Sequence, residues 1–368
     1  MLVGLGLAGV VALANGMSSA RLAAIHPMSG GTYVYGRRQL GRMWGLAAGW
    51  AFTVGKVASC AAVALTFGEY AWPRFGRPLA VLAIIAFTVA NVRGVHKTVM
   101  LTRILVTGVL IVLAVVVAGA VFGGGLDTGN LLPLWPAAGA RGILRAGALL
   151  FFAFAGYARI ATLGEEVIDP ARTTPRAIPV ALGIVLFVYT SVALAAILAA
   201  GPGALASAEA PLAVAVGAGN LAALAPVVRV GAALATLGVL LSLLAGVART
   251  VFAMAADGEL PRWFDRVHPR FRVPHRAELA VGIVVAALAA TGALERSIAL
   301  SAFSVLLYYA ITNAAALTVP GGRFLPVVGL AGCLVLAFSL PLATVVLSAS
   351  LLLPALSLSA LRSPATGG

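Results

Sequence analysis

Charged residues are scarce in this chain. They make up 10% of its 368 positions against 61% hydrophobic ones, and that scarcity excludes a soluble fold. A soluble domain needs far more polar surface to cover a single apolar core. Carboxylates are scarcer still, with 11 Asp and Glu against 25 Lys and Arg. Only two cysteines occur, Cys60 and Cys333, both inside apolar runs, so neither a disulfide framework nor a thiolate metal site follows from them. The four histidines, His26, His96, His268 and His275, fall in or beside polar linkers at no spacing that suits zinc. No P-loop, nucleophile elbow or pair of carboxylates on one apolar helix face is found. Together these absences argue against an enzyme, and no motif asks for a cofactor or metal.

What is abundant is apolar sequence in runs of membrane-spanning length. Mean hydropathy is +1.06, and a spanning helix needs about 20 mostly apolar residues. By that ruler the spans fall near 2–25, 44–70, 78–92, 104–122, 143–163, 178–200, 224–255, 278–294, 298–318, 324–340 and 342–361, eleven in all. The expected fold class is therefore an all-α, polytopic membrane bundle in the lipid bilayer. A formal charge of +14 invites nucleic acid as a partner. The basic residues, however, are scattered singly between the runs, where they act as topology signals.

Those residues are strongly segregated. One alternating set of linkers holds sixteen of the 25, including Arg21, Arg37, Arg38 and Arg42, then Arg93, Lys97 and Arg103, and the five of the 255–278 stretch. The opposite set holds five, Arg74, Arg77, Arg141, Arg145 and Arg296. The positive-inside rule makes the richer set cytoplasmic, which places the C-terminus inside and Met1 outside. Lys56, Arg159, Arg229 and Arg249 lie inside spans.

One stretch draws attention to itself, "FFAFAGYARIATLGEEVIDPARTTPRAIP" from Phe151 to Pro179. Gly156 and Arg159 interrupt an apolar run that then ends in Glu165 and Glu166. Two readings are open. A helix broken at Gly156 would free backbone groups at membrane depth, which is tolerated only against protein or a water-filled cavity and in transporters binds substrate. A continuous helix with a packing glycine and a snorkelling arginine fits the same residues.

This stretch resembles the sixth helix and following loop of the amino acid–polyamine–organocation (APC) permeases. The shared pattern is a pair of phenylalanines, a Gly–aromatic break, Glu-Glu-x-x-x-Pro, and Pro-Arg-x-Ile-Pro. "SSARLAAIHPMSGGTYVYGRRQLGRMWGLAAGW" (18–50) is similar to the end of the family's second helix, its loop and its third helix. "ANVRGVHK" (90–97) and "GVARTVFAMAADGELPRWFDRVHPRFRVPHRAE" (246–278) are similar to the approach to the fifth helix and to the eighth helix with its loop.

The resemblance implies an inverted-repeat fold. Residues 1–122 would be the remainder of the first repeat (helices 2–5), 143–318 the second repeat (helices 6–10) and 324–361 two accessory helices. It implies secondary active transport of amino acids by alternating access, coupled to protons or to exchange, at the plasma membrane. Substrate contact is expected at Phe151, Phe154, Ala155, Gly156, Tyr157 and Ala158, with Lys56, Arg159, Glu165, Glu166 and Ser242 as coupling or gating residues. Tyr308, Tyr309 and Asn313 of the tenth helix are expected at an outer gate or in packing.

Three departures from the family qualify these expectations. Met1 falls at the start of what matches the second helix, so the first helix is expected to be missing, through an internal start or true truncation. Many relatives carry an acid after the Gly–aromatic pair, whereas this chain has Ala158 and Arg159, which favours neutral or acidic substrates over polyamines. Some proton-driven relatives carry a lysine in the fifth helix, but the run Ile104 to Phe122 has no charge, leaving Lys56 as the proton-linked candidate or a structural cation. A non-transporting remnant or a receptor or assembly subunit is the competing reading.

Overall fold

The computed structural model describes residues 1–26, 30–94, 99–124, 126–132, 138–157 and 169–361, and the described residues form helices and connecting turns without strands. The helices are α1 (Leu2–Ile25), α2 (Thr32–Gln39), α3 (Arg42–Ala71), α4 (Gly76–Val92), α5 (Val99–Phe122) and α6 (Gly139–Phe154). They continue with α7 (Pro170–Ser207), α8 (Pro211–Gly217), α9 (Ala225–Ala256), α10 (His275–Thr291), α11 (Leu294–Leu317), α12 (Phe324–Ser339) and α13 (Leu342–Leu361). Seven helical segments are long and apolar enough to cross a membrane, and α12 with α13 makes an eighth if that pair, bent by 115°, is taken as one span. The bend falls at Pro341, which cannot continue a helix. The remaining apolar runs form α6 and α10, of 16 and 17 residues.

One helix was not foreseen. The linker around Arg37 contains α2, whose eight residues include Arg37 and Arg38 in the last turn. Its short polar sequence shows no spanning run. What separates it from α3 is Gly41, at φ 102°, a conformation that glycine adopts without the penalty a Cβ brings.

Apolar attraction between helices vanishes in a bilayer, so close packing of small residues and buried hydrogen bonds must replace it. In α3, Ala48, Ala51, Gly55, Ala58 and Ala62 recur at helical spacing and are buried. At Gly55 an added Cβ would lie 3.0 Å from the side chains of Ser304 and Val305 of α11, so glycine eases the close approach of the two helices. Nearby, Ser59 and Ser301 share a hydroxyl hydrogen bond of 2.7 Å. A second polar clasp joins α1 to α11 and α12. The Asn313 amide donates to Asn15 Oδ1 at 2.6 Å, Ser18 donates to Asn313 Oδ1 at 2.7 Å, and the Cys333 thiol donates to Asn15 Oδ1 at 3.3 Å.

Burial follows this arrangement. The window tested in α11 is 83% buried whereas that in α5 is 17% buried, so α11 is an axial pillar and α5 a lipid-facing wall. Exposed Ile104 and Ile111 on α5 and Ile283 and Val284 on α10 are therefore lipid contacts. Beyond the end of α9, Arg42 from the first turn of α3 clasps Glu259 with two bonds of 3.0 Å. Glu259 is only 5% exposed.

Removing one partner of that pair strands a carboxylate away from water. We expect Arg42→Ala to cost about 2 kcal/mol, less than the roughly 3–5 kcal/mol of a fully buried pair because Arg42 is partly solvated. Thermal unfolding in detergent checks this, and Glu259→Gln in the same chain should recover part of the loss.

Candidate functional site

The sixth helix does end at Phe154. A 3-10 turn, Ala155–Tyr157, follows, so the backbone departs from α-helix at the position that Gly156 marked. Carbonyls freed at a helix end inside a membrane need donors. Two side chains supply them. Lys56 Nζ of α3 donates to the Ala155 carbonyl at 3.0 Å, and the Tyr189 hydroxyl of α7 donates to the Ala153 carbonyl at 2.9 Å. Lys56 is 6% exposed and lies 5.8 Å from the Phe52 ring centroid.

Beside this break lies a cavity of about 620 Å³. From α3 it is lined by Gly49, Phe52 and Lys56, from α9 by Ser242, Arg249 and Thr250 among others, and from the break by Gly156. Leu105, Val106, Val109 and Leu110 of α5 make an apolar wall, while Tyr33 of α2 and Tyr308 of α11 close two of its edges. Glycines 238 and 246 on α9 keep the opposite wall low. Among the described lining residues, Lys56 and Arg249 are the charged ones, and no carboxylate is among them. Such a space admits a small solute with an apolar portion and an anionic group. Behind Arg249, the buried Glu278 is held by the Asn91 side chain and faces the Arg249 charge.

The expected site residues separate into three groups. Lys56, Gly156 and Ser242 line one cavity. Phe151 and Phe154 instead face away from it into the core: Phe151 meets the Tyr309 ring at 5.9 Å, and Phe154 meets Tyr189 at 5.3 Å. Ala155 is buried and contributes its carbonyl to Lys56, and Tyr157 ends the turn. Ala158, Arg159, Glu165 and Glu166 lie outside the described residues. Phe52, Tyr33 and Arg249 were missed. Arg249 carried a readable signal, a cation within a span, whereas Phe52 and Tyr33 become visible only once α3 and α2 are placed.

Tyr308 is buried, which fits the packing alternative of its expected place. Its hydroxyl accepts the Thr32 backbone N–H at 3.1 Å, and Thr32 Oγ1 meets Thr312 Oγ1 at 2.6 Å. It thus joins the start of α2, at the face carrying the arginine-rich linkers, rather than an outer gate. Asn313 and Tyr309 are packing residues, both buried. At the same arginine-rich face the Tyr33 hydroxyl donates to Asp257 Oδ2 at 2.6 Å, and Arg37 reaches both groups at 3.2 and 3.5 Å. Burial and the bond to Asp257 raise the Tyr33 phenol above its ordinary pKa, so it stays a neutral donor.

A polytopic helical bundle with a cavity beside the end of α6 fits a membrane carrier rather than an enzyme. The chain belongs to the amino acid permease family, whose pattern it matches over residues 1–357. It is 56% identical over 357 residues, 96% of its length and 81% of the relative's, to an uncharacterized transporter of Mycobacterium tuberculosis (strain ATCC 25618 / H37Rv). The branched-chain amino acid permease BcaP of Bacillus subtilis (strain 168) is 24% identical over 92% of this chain and 80% of its own. Cationic amino acid transporter 4 of Homo sapiens is 28% identical over 84% of this chain and 52% of its own.

Cysteine scanning tests the cavity directly. Cys60 and Cys333 are fully buried, so the native background of reaction with maleimide in membranes should be low. Ser242→Cys and Thr250→Cys should label, while Ser301→Cys, buried between α3 and α11, should not.

Proposed function

We propose that this permease is a secondary active transporter that carries neutral or acidic amino acids across the plasma membrane by alternating access. The observation that carries this reading is the cavity beside Gly156, where the Lys56-capped Ala155 carbonyl sits on the edge of a space lined by two cations. A zwitterionic amino acid offers an α-carboxylate for a cation and an ammonium for freed carbonyls, while its side chain can rest on the apolar wall from α5. A second positive charge on the substrate would be repelled by Lys56 and Arg249, since the ionic interaction is strong where water is excluded. One relative is named for branched-chain amino acids and another for cationic ones, so kinship favours neither class and this reading rests on the charges that line the cavity.

In this reading the sequence divides into a remainder of a first repeat over 1–122, a second repeat over 143–318 and accessory helices over 324–361. The arginine-rich linkers and the C-terminus face the cytoplasm. Lys56 is the coupling residue: releasing its proton removes the charge from the bond to Ala155 and weakens the hold on that carbonyl. Arg159, Glu165, Glu166 and Ser242 serve coupling or gating, while Gly156, Tyr157 and Ala158 contact the substrate.

Reconstituted protein tests this with a mixed pool of labelled amino acids. We expect uptake that leucine-like and acidic amino acids compete for and arginine does not. Absence of both uptake and ligand-induced thermal stabilisation would overturn the transporter reading in favour of a non-transporting subunit. Lys56→Met should flatten the pH dependence of uptake; an unchanged profile would confine Lys56 to capping the Ala155 carbonyl.

A further inference from the structure

The link between α9 and α10 is not used by the transport reading. It carries five arginines, Arg262, Arg266, Arg270, Arg272 and Arg276, and four carboxylates if Glu278 at its end is included. Three of those carboxylates are committed elsewhere: Asp257 to Tyr33 and Arg37, Glu259 to Arg42, and Glu278 to its buried place beside Asn91. That leaves Asp265 to offset five cations. Arg262, Arg266, Arg270 and Arg272 are exposed. Set among them are two exposed apolar side chains, Trp263 at 52% and Val267 at 49%.

This display is built rather than slack. His268 donates its backbone N–H to the Val273 carbonyl at 2.8 Å, and its ring Nδ1 accepts the N–H groups of Arg270 and Phe271 at 3.2 and 3.3 Å. The Arg272 N–H returns to the His268 carbonyl at 2.9 Å with Arg272 held at φ 53°, an uncommon conformation for a non-glycine residue. The Trp263 ring is fixed from two sides, by Phe264 at 5.1 Å and by the Arg276 guanidinium at 5.4 Å. Because α9 and α10 both leave this link as membrane helices, the surface nearest to it is the headgroup layer of one leaflet.

We propose that the segment 262–276 binds anionic phospholipid headgroups of that leaflet, with the arginines pairing phosphates and Trp263 and Val267 entering the interface. Guanidinium groups match phosphate oxygens in a bidentate fork, and tryptophan prefers the boundary between headgroup and hydrocarbon. A juxtamembrane cluster of basic residues of this size is drawn to anionic lipid. The same link begins with Asp257 and Glu259, which clasp α2 and α3 at the cavity's edge. Bound lipid therefore also steadies those clasps.

The test uses the full chain in lipid nanodiscs and needs no substrate, so it stands apart from the transport reading. Thermal unfolding should shift upward when phosphatidylglycerol replaces part of a phosphatidylcholine bilayer, and the shift should shrink in high salt. A chain carrying Arg266→Gln, Arg270→Gln and Arg272→Gln should lose most of that shift, while Arg74→Gln with Arg77→Gln, at the opposite membrane face, should keep it. Equal stability of the native chain in neutral and anionic discs would overturn the proposal. Full retention of the shift by the triple variant would overturn it as well.

Discussion

The hydrogen bond from Lys56 to the Ala155 carbonyl is the constraint around which the rest is arranged. A bilayer offers no water to a carbonyl released by a helix that stops midway, and it offers none to a lysine carried on a neighbouring span. Each group solves the problem of the other. The solution requires α3 to pass close to the end of α6, and the close approach of α3 to α11 through Gly55 helps fix where α3 runs. A substitution that thickened that contact would move the lysine before it touched the cavity.

Around this axis the molecule is unevenly bound. Buried amide and hydroxyl bonds stitch α1, α11 and α12, and Ser59 with Ser301 ties α3 to α11. The contacts of α9 with α2 and α3 at the arginine-rich face are of another kind: ionic, partly solvated and sensitive to salt. The wall formed by α5 is mostly lipid-facing. The contacts at the arginine-rich face can thus be exchanged for water, and the buried bonds of α1, α3, α11 and α12 cannot.

Much of this was legible in the sequence, for reasons that differ by element. Long apolar runs named the spanning helices because hydropathy is a property of composition alone. At Gly156 the sequence left a broken and a continuous helix equally open, and the turn Ala155–Tyr157 became visible only in the fold, whereas Lys56 drew notice because a lone lysine at membrane depth is costly. Direction was not legible: Phe151 and Phe154 flank the break but turn into the core against Tyr309 and Tyr189, since which face of α6 meets the cavity depends on α7 and α11. Helix α2 escaped notice because it is short and polar, and its position against α3 depends on the left-handed turn at Gly41. Arg249 shows the converse, a charge counted within a span whose role appears only when the cavity it borders is drawn.

The lysine and its acceptor are 99 residues apart in the chain. At synthesis rates of roughly 5–20 residues per second, the helix carrying Lys56 is made about 5–20 seconds before the carbonyl that completes it. A lysine at the middle of an inserting helix is disfavoured by about 2.5–3.5 kcal/mol. Over that interval the apolar length of α3 must carry that cost before the Ala155 carbonyl is made.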